Sequence, residues 1–321
     1  TENLVAVISW RRARLDIALI TADNKIAFRD QIPLTEEEDK VDKITSTFFN
    51  IMKPKVGDRR IMGLCIIIPG IIDAENKRIL STVIGVGYSD PVVQRFEEAF
   101  HDYPFCLLND TACFAYAEYV FANITEPNFA YINVSKGVGA CLFANGKMLR
   151  GAGSNATQFG HFSVDRNGPL CACGNHGCVE RVVGENALTE RAEACGIDLT
   201  RFAGRKPLYC DIGAMAEDGD AHAKELIKDL AVDLSFAISN LITLFNPSLV
   251  VIGGMGVNLG PFFLSNIRDE VQNSGFKEFV SNTWIQYSTL GLDSELGGAA
   301  RYYIDHYYDF FEQMQGGLYA D

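Results

Sequence analysis

The sequence predicts an α/β protein built as two related lobes, and three observations carry that reading. Strands and helices are interleaved along the chain, and the three-stranded opening of the first half returns in the second. The chain also has 321 residues, 48% hydrophobic and 21% charged, enough for two cores of ordinary globular composition.

LVAVISW (4–10) and LDIALIT (15–21) read as a strand pair, and Asp23-Asn24 turns the chain into a third strand, KIAFRDQIPL. A helical stretch from about Glu36 to Ile51 leads to the strand IMGLCIIIPG (61–70), a short hairpin at Asp73–Lys77 and a helix around Val92–Phe100. FCLLND (105–110) is a further strand, with the helix TACFAYAEYVFA (111–122) behind it. The pattern restarts with strands FAYINVSKG (129–137), ACLFANGKML (140–149) and HFSVD (161–165), and Asn145-Gly146 is a hairpin turn. Helices follow at about 185–195 and 220–245, the second amphipathic through Leu226, Leu230, Leu234, Ile238 and Leu241. SLVVIGG (248–254) is a buried strand ending in glycines, and a last helix runs from Gly297 to about Gln313. The expected division is an N-terminal lobe over 1–120 and a C-terminal lobe over 121–299. The aromatic C-terminal helix, about 300–321, packs back onto the first lobe, and a cleft separates the two.

Composition excludes several classes. A net charge of −13 repels nucleic acid, whose binding draws on clustered Lys and Arg. The longest apolar runs, such as LCIIIPGII at 64–72, are broken by Pro69-Gly70 and fall short of the roughly 20 residues of a membrane span. The opening TENLVAVISW lacks the basic and long apolar segments of a signal peptide. Of nine cysteines, Cys65, Cys106, Cys113, Cys141, Cys195 and Cys210 stand in mostly apolar contexts and read as small buried residues. A reducing, cytoplasmic location fits that usage.

The other three cysteines lie in HFSVDRNGPLCACGNHGCVE (161–180). Cys171-x-Cys173-x4-Cys178, with His161 upstream, offers thiolate and imidazole ligands suited to tetrahedral Zn²⁺. Gly174 and Gly177 let the backbone turn tightly enough to aim several ligands at one ion. A disulfide is disfavoured by compartment and by the closeness of Cys171 to Cys173, and no redox CxxC is present. His176 also lies in the run, so spacing leaves His161 and His176 both open as the fourth ligand.

The segment GAGSNATQFGHFSVDRNGPLCACGNHGCVE resembles the signature of the ROK family (repressors, open reading frames and sugar kinases). IPGIID (68–73), LLNDTACFAYAEY (107–119), ANGKMLRGAG (144–153) and NPSLVVIGG (246–254) match in the right order, over nearly the whole chain. The resemblance implies a two-lobed, actin-like fold of the hexokinase type (ribonuclease H-like) with a structural zinc loop and a sugar in the cleft. It favours His161 as the fourth ligand beside Cys171, Cys173 and Cys178. It also implies that Asn109, Asp110, Gln158, His161 and Glu180 face the sugar, with Asp110 as the base in a kinase. Taken alone, Asp110 reads almost equally well as the cap of the following helix, and Glu180 as a solvated charge.

The nucleotide side departs from the kinase pattern. Family kinases carry Asp-x-Gly-Gly-Thr-Lys after the first strand; here the places hold Ser9-Trp10-Arg11-Arg12-Ala13-Arg14. Glycines there admit phosphate to the backbone and the Asp serves the metal, so Arg11, Arg12 and Ser9 form a poor seat for Mg²⁺·ATP, though their charge still attracts an anion. The second phosphate loop is half kept in Ser135-Lys136-Gly137-Val138-Gly139, and with Gly253 and Gly254 makes a vestigial nucleotide site. On the sugar side, the usual Gly-Glu-x-Gly-His is Thr157-Gln158-Phe159-Gly160-His161, and Ile84 stands where kinases often carry an Asn, before Gly87-Tyr88. The reading that follows is the sugar- or sugar-phosphate-sensing and oligomerisation domain of a ROK-type regulator, as a homodimer or higher homo-oligomer. The alternatives are a sugar kinase using ATP and Mg²⁺ on a hexose or N-acetylhexosamine, and a scaffold without ligand. No helix-turn-helix pattern precedes TENLVAV, which lacks a Met and reads as cut from a longer chain. DNA would be contacted only through a region outside this sequence.

Overall fold

The computed structural model describes residues 3–73, 76–82, 91–151 and 156–308. Ile84, Gly87, Tyr88 and the expected end of the last helix beyond 308 lie outside them. Among the described residues, one compact unit holds 3–124, Gly151 and 290–308, and the other holds 125–150 and 156–289. No helix among them is long and apolar enough to cross a membrane.

In the first unit β1 (Asn3–Trp10), β2 (Arg14–Thr21) and β3 (Ile26–Pro33) form an antiparallel meander. After α1 (Lys40–Thr47), β4 (Arg60–Ile68) lies parallel to β1. β5 (Gly70–Asp73) and β6 (Arg78–Thr82) make a separate hairpin, and α2 (Val92–Ala99) leads to β7 (Phe105–Asn109) and α3 (Asp110–Phe121). The sheet order is β3-β2-β1-β4-β7. β1 and β2 are buried along almost their whole length, not on alternate residues, as expected where both faces are covered. One face receives Ile44 of α1 with Phe48, Phe96 and Phe100; the C-terminal helix Ser294–Tyr307 packs on β1, β2, β4 and α3. Gly298 permits that last contact, since a Cβ there would strike the Cys113 carbonyl. The helix expected from Glu36 starts at Lys40, because the Asp39 carboxylate accepts the Asp42 amide at 3.0 Å and so caps it.

The second unit repeats the plan. β8 (Phe129–Val134), β9 (Val138–Ala144) and β10 (Lys147–Met148) form the meander, β11 (Leu249–Gly253) lies parallel to β8, and β12 (Trp284–Tyr287) parallel to β11, in the order β10-β9-β8-β11-β12. Asn145 and Gly146 turn β9 into β10 with φ of +52° and +72°, the left-handed pair that the Asn-Gly dipeptide favours. Around the sheet stand α4 (Val179–Val183), α5 (Glu185–Ala194), α6 (Tyr209–Glu217), α7 (Ala221–Phe245), α8 (Gly260–Gln272) and α9 (Lys277–Val280). The apolar stripe of α7 is buried as its periodicity predicts. HFSVD is not the third strand: Phe159–His161 is a 3-10 turn and the following residues pair elsewhere. The Val164 amide donates to Gly177 O and the Val179 amide to Phe162 O, so the cysteine loop, not the sheet, takes this backbone. Five of these elements have no counterpart in the sequence reading: α4, α6, α8, α9 and β12. β12 is four residues long, and α8 opens on Gly260-Pro261, a dipeptide that reads as a turn but here places Pro in the first helical turn.

Candidate metal centre and neighbouring loops

The cysteine loop of the second unit closes on itself through backbone bonds. The Cys171 amide donates to Asn175 O at 2.8 Å, Gly174 to Cys171 O at 2.9 Å and Gly177 to Pro169 O at 2.9 Å. Gly177, at φ +59°, lies so close to the Asp165 backbone that a Cβ would collide with it. This folding brings the ligand atoms of His161, Cys171, Cys173 and Cys178 within 4.8 Å of one another. Cys173 Sγ is 3.6 Å from Cys178 Sγ, and Cys171 Sγ is 3.6 Å from His161 Nδ1. A tetrahedron with Zn–S near 2.3 Å has edges of roughly 3.8 Å, so the four atoms fit the corners of such a site. Burial and the neighbouring thiols push Cys178 up to about 12, whereas the Asn175 backbone holds Cys173 below its ordinary value. His176 lies outside the group, its Nδ1 3.0 Å from Gly168 O.

Gln158 and Glu180 flank this loop. Gln158 precedes the 3-10 turn, and its carbonyl accepts the His161 amide at 3.0 Å. It also lines a cavity of about 240 Å³ whose other walls include Leu142, Phe159, Phe162 and Leu241, an apolar setting for the residue that replaces the family's Glu. Glu180 lies in the first turn of α4, and its Oε2 accepts the Val138 amide at 3.3 Å. Glu180 is thus placed on the β8–β9 turn and is not simply a solvated charge. Gly253 and Gly254 close against β8: a Cβ on Gly253 would strike the Tyr131 hydroxyl, and one on Gly254 would strike Asn133 Oδ1. Gly139 pairs with Asn133 in the β8–β9 ladder.

Asn109 and Asp110 belong to the first unit. The cap of α3 is Asn109, whose Oδ1 accepts the Ala112 amide at 3.0 Å while its Nδ2 donates to Gly70 O. Asp110 is the first helical residue, its Oδ1 accepting the Thr111 amide at 2.8 Å. Burial raises its carboxyl above the ordinary range, against the pull of that amide and of the Arg11 guanidinium.

The turn between β1 and β2 is occupied by the chain's own charges. Arg11 Nε donates to Asp16 Oδ2 at 2.8 Å and its Nη2 to Glu295 Oε1. Asp16, opposite Ser9 across the strands, also receives Arg14 Nε at 2.9 Å and Gln31 Nε2 at 2.7 Å. Burial opposes the Arg11 charge, but Glu295, Asp16 and Asp110 outweigh it and hold the guanidinium above its ordinary value. Burial likewise lifts Glu295 to about 7, against Arg11 and with Asp110 adding to the rise. Sequence reasoning missed Asp16, Gln31 and Glu295. Asp16 had a signal, a lone carboxylate inside LDIALIT; Glu295 had none, standing 284 residues from Arg11.

The family model described as "ROK family" matches residues 9–305. The xylose repressor of Bacillus subtilis is 26% identical over 250 residues, covering 78% of this chain and 62% of that protein. The N-acetylglucosamine regulator NagC of Escherichia coli is 26% identical over 313 residues, covering 94% of this chain and 75% of that protein. The chain thus spans about three fifths of the length of the xylose repressor it matches. Among solved structures, a ROK family transcriptional regulator described as a homolog of the E. coli MLC protein superposes with a TM-score of 0.80 at 23% identity, covering 93% of this chain and 77% of that one. The Streptomyces griseus ROK glucokinase, solved with glucose and AMPPNP, gives 0.76 at 22%, covering 92% and 98%. The mixed α/β fold is that of these proteins.

Proposed function

The chain belongs to the ROK family, and from that membership we propose that it is the sugar-sensing and oligomerisation part of a ROK transcriptional regulator. The observation that carries this reading is the β1–β2 turn. Where family kinases need open backbone and a metal-serving Asp, Arg11 is bound to Asp16 and Glu295. That turn does not suit Mg²⁺·ATP, because the phosphates would have to displace a guanidinium already neutralised by two carboxylates. The ligand proposed is a sugar or sugar phosphate held by Asn109, Asp110, Gln158, His161 and Glu180. A zinc ion on His161, Cys171, Cys173 and Cys178 fits the donor set; when bound it would cross-link two backbone segments and supply no reacting atom. The assembly proposed is a homodimer or higher homo-oligomer in the reducing cytoplasm, and with a net charge of −13 any operator contact falls to protein outside these 321 residues.

Asp110 favours a second reading, an ATP-dependent kinase acting on a hexose or N-acetylhexosamine. It keeps the position of the family base, and burial raises its carboxyl above the ordinary value. A coupled ADP-release assay over a panel of hexoses and N-acetylhexosamines with Mg²⁺ separates the two readings. The sensor reading expects saturable sugar binding in calorimetry without turnover. Turnover abolished by Asp110→Asn would replace it with the kinase.

A further inference from the structure

The β8–β9 turn, Ser135–Gly137, is held from two sides. On one side Ser135 O accepts the Glu185 amide at 3.1 Å and the Tyr209 hydroxyl at 3.2 Å, and Ser135 Oγ accepts the Met255 amide at 3.1 Å. None of these partners neighbours a candidate metal ligand. The other side is different. The Val138 amide donates to Oε2 of Glu180, two residues beyond Cys178. A Cβ on Gly137 would stand 2.6 Å from that same oxygen, so only glycine lets the carboxylate lie over the turn. Gly160, next to His161, lies so close to Val138 O that a Cβ there would strike it. The residues gripping this side are therefore neighbours of two of the four candidate ligands.

We propose that Glu180 is a positioning residue through which the metal loop holds the β8–β9 turn. An ion fixing Cys178 fixes the start of α4, because the Arg181 amide donates to Cys178 O at 2.8 Å and opens the helix from there. The start of α4 in turn fixes where the Glu180 carboxylate meets the Val138 amide. A carboxylate that gives one oxygen to a turn keeps another for a ligand hydroxyl. Ligand contact at Glu180 would then be felt in the turn; that consequence rests on the sugar-sensing reading, whereas the link between loop and turn does not.

The test is amide hydrogen exchange at Val138 in the full, zinc-loaded, ligand-free chain, so that it stands apart from any failure of the sugar reading. Glu180→Ala is expected to speed exchange about tenfold, as for one lost charge-assisted hydrogen bond. Glu180→Gln, which keeps an acceptor, should restore most of the protection. Wild-type protein stripped of zinc should behave like Glu180→Ala. Gly137→Ala, whose Cβ displaces the carboxylate, should do the same with the zinc still bound, and it serves as the second variant should Glu180→Ala fail to fold. Equal exchange in the Ala and Gln variants, or unchanged exchange after zinc removal, overturns the proposal.

Discussion

The two sheets share one plan, a three-stranded meander followed by two parallel strands, yet their first turns are built oppositely. The β1–β2 turn is filled by a cation of the chain itself, Arg11 between Asp16 and Glu295. The β8–β9 turn keeps Gly137 and meets an anion of the chain itself, the Glu180 carboxylate. A Gly-rich turn presents amides to an anion, and a turn of Arg and Ser instead presents a side-chain charge that must be neutralised internally. One plan therefore gives one turn that closes upon its own ion pairs and one turn that stays answerable to a neighbouring loop. If that contrast is right, the two turns should fail under different perturbations.

The largest effect is expected from the metal. Purified protein should hold about one zinc per chain, and Cys178→Ser or chelation should abolish it. Structural zinc contributes folding free energy directly, so the second unit should lose several kcal/mol and melt roughly 10 °C lower. Trp10 is buried in the first unit and Trp284 is exposed in the second, so the fluorescence of a Trp284→Phe variant reports on the first unit alone. That signal should change little when zinc leaves. A first-unit signal that falls together with the metal would break the contrast between the turns.

The cluster of candidate metal ligands was legible because its chemistry is local: three cysteines and a histidine in one short run, with glycines where the backbone must bend. Strands β1, β2, β4, β8 and β11 were legible from apolar runs, and α7 from its stripe of Leu and Ile. What escaped depends on contacts far apart in sequence. Glu180 meets Val138 across 42 residues and Glu295 meets Arg11 across 284, and no pattern within a window reports either. Local chemistry also misled once. HFSVD alternates like a strand, but the Gly177 carbonyl and the Val179 amide take its backbone into the cysteine loop. The cap of α3 shows the same limit on a smaller scale, because Asn109 and Asp110 are both good caps and only the observed register selects Asn109.

A smaller effect should come from the first turn. Arg11→Ala leaves Asp16 and Glu295 without their shared counter-ion, a loss of about 3 kcal/mol, at the low end for broken buried pairs because the Arg11 side chain is 35% exposed. Urea unfolding followed by Trp10 should show the loss, and zinc content should not change. Glu295 adds a pH signature. Its carboxyl is raised to about 7, so between the ordinary carboxylate range and that value the folded protein binds more protons than the unfolded one. Stability should therefore fall as pH rises through about 4.5 to 7, by on the order of 3 kcal/mol in full, and stay low above it. Glu295→Gln should flatten that slope, and Arg11→Ala should extend it to higher pH by removing the charge that holds Glu295 down. A wild-type profile already flat between those limits would mean that Arg11 neutralises Glu295 completely.

The smallest expected effect is at Asp110, and it has opposite signs in two measurements. Burial raises this carboxyl, so holding its charge costs the fold something even with Arg11 and the Thr111 amide nearby. Asp110→Asn removes that charge and keeps the side-chain shape, and should leave unfolding stability unchanged or higher by up to about 1 kcal/mol. The same substitution turns an acceptor-only group into one that also presents a donor, so a sugar hydroxyl that donated to the carboxylate loses part of its partner. Sugar affinity by calorimetry should then weaken by about 1–3 kcal/mol. Stability and affinity moving down together would place Asp110 in the support of α3 and not at the ligand. The capping geometry argues against that outcome, because Asn109 already satisfies the Ala112 amide and anchors Gly70, while the Asp110 carboxylate is held locally, by Thr111 and by its own backbone.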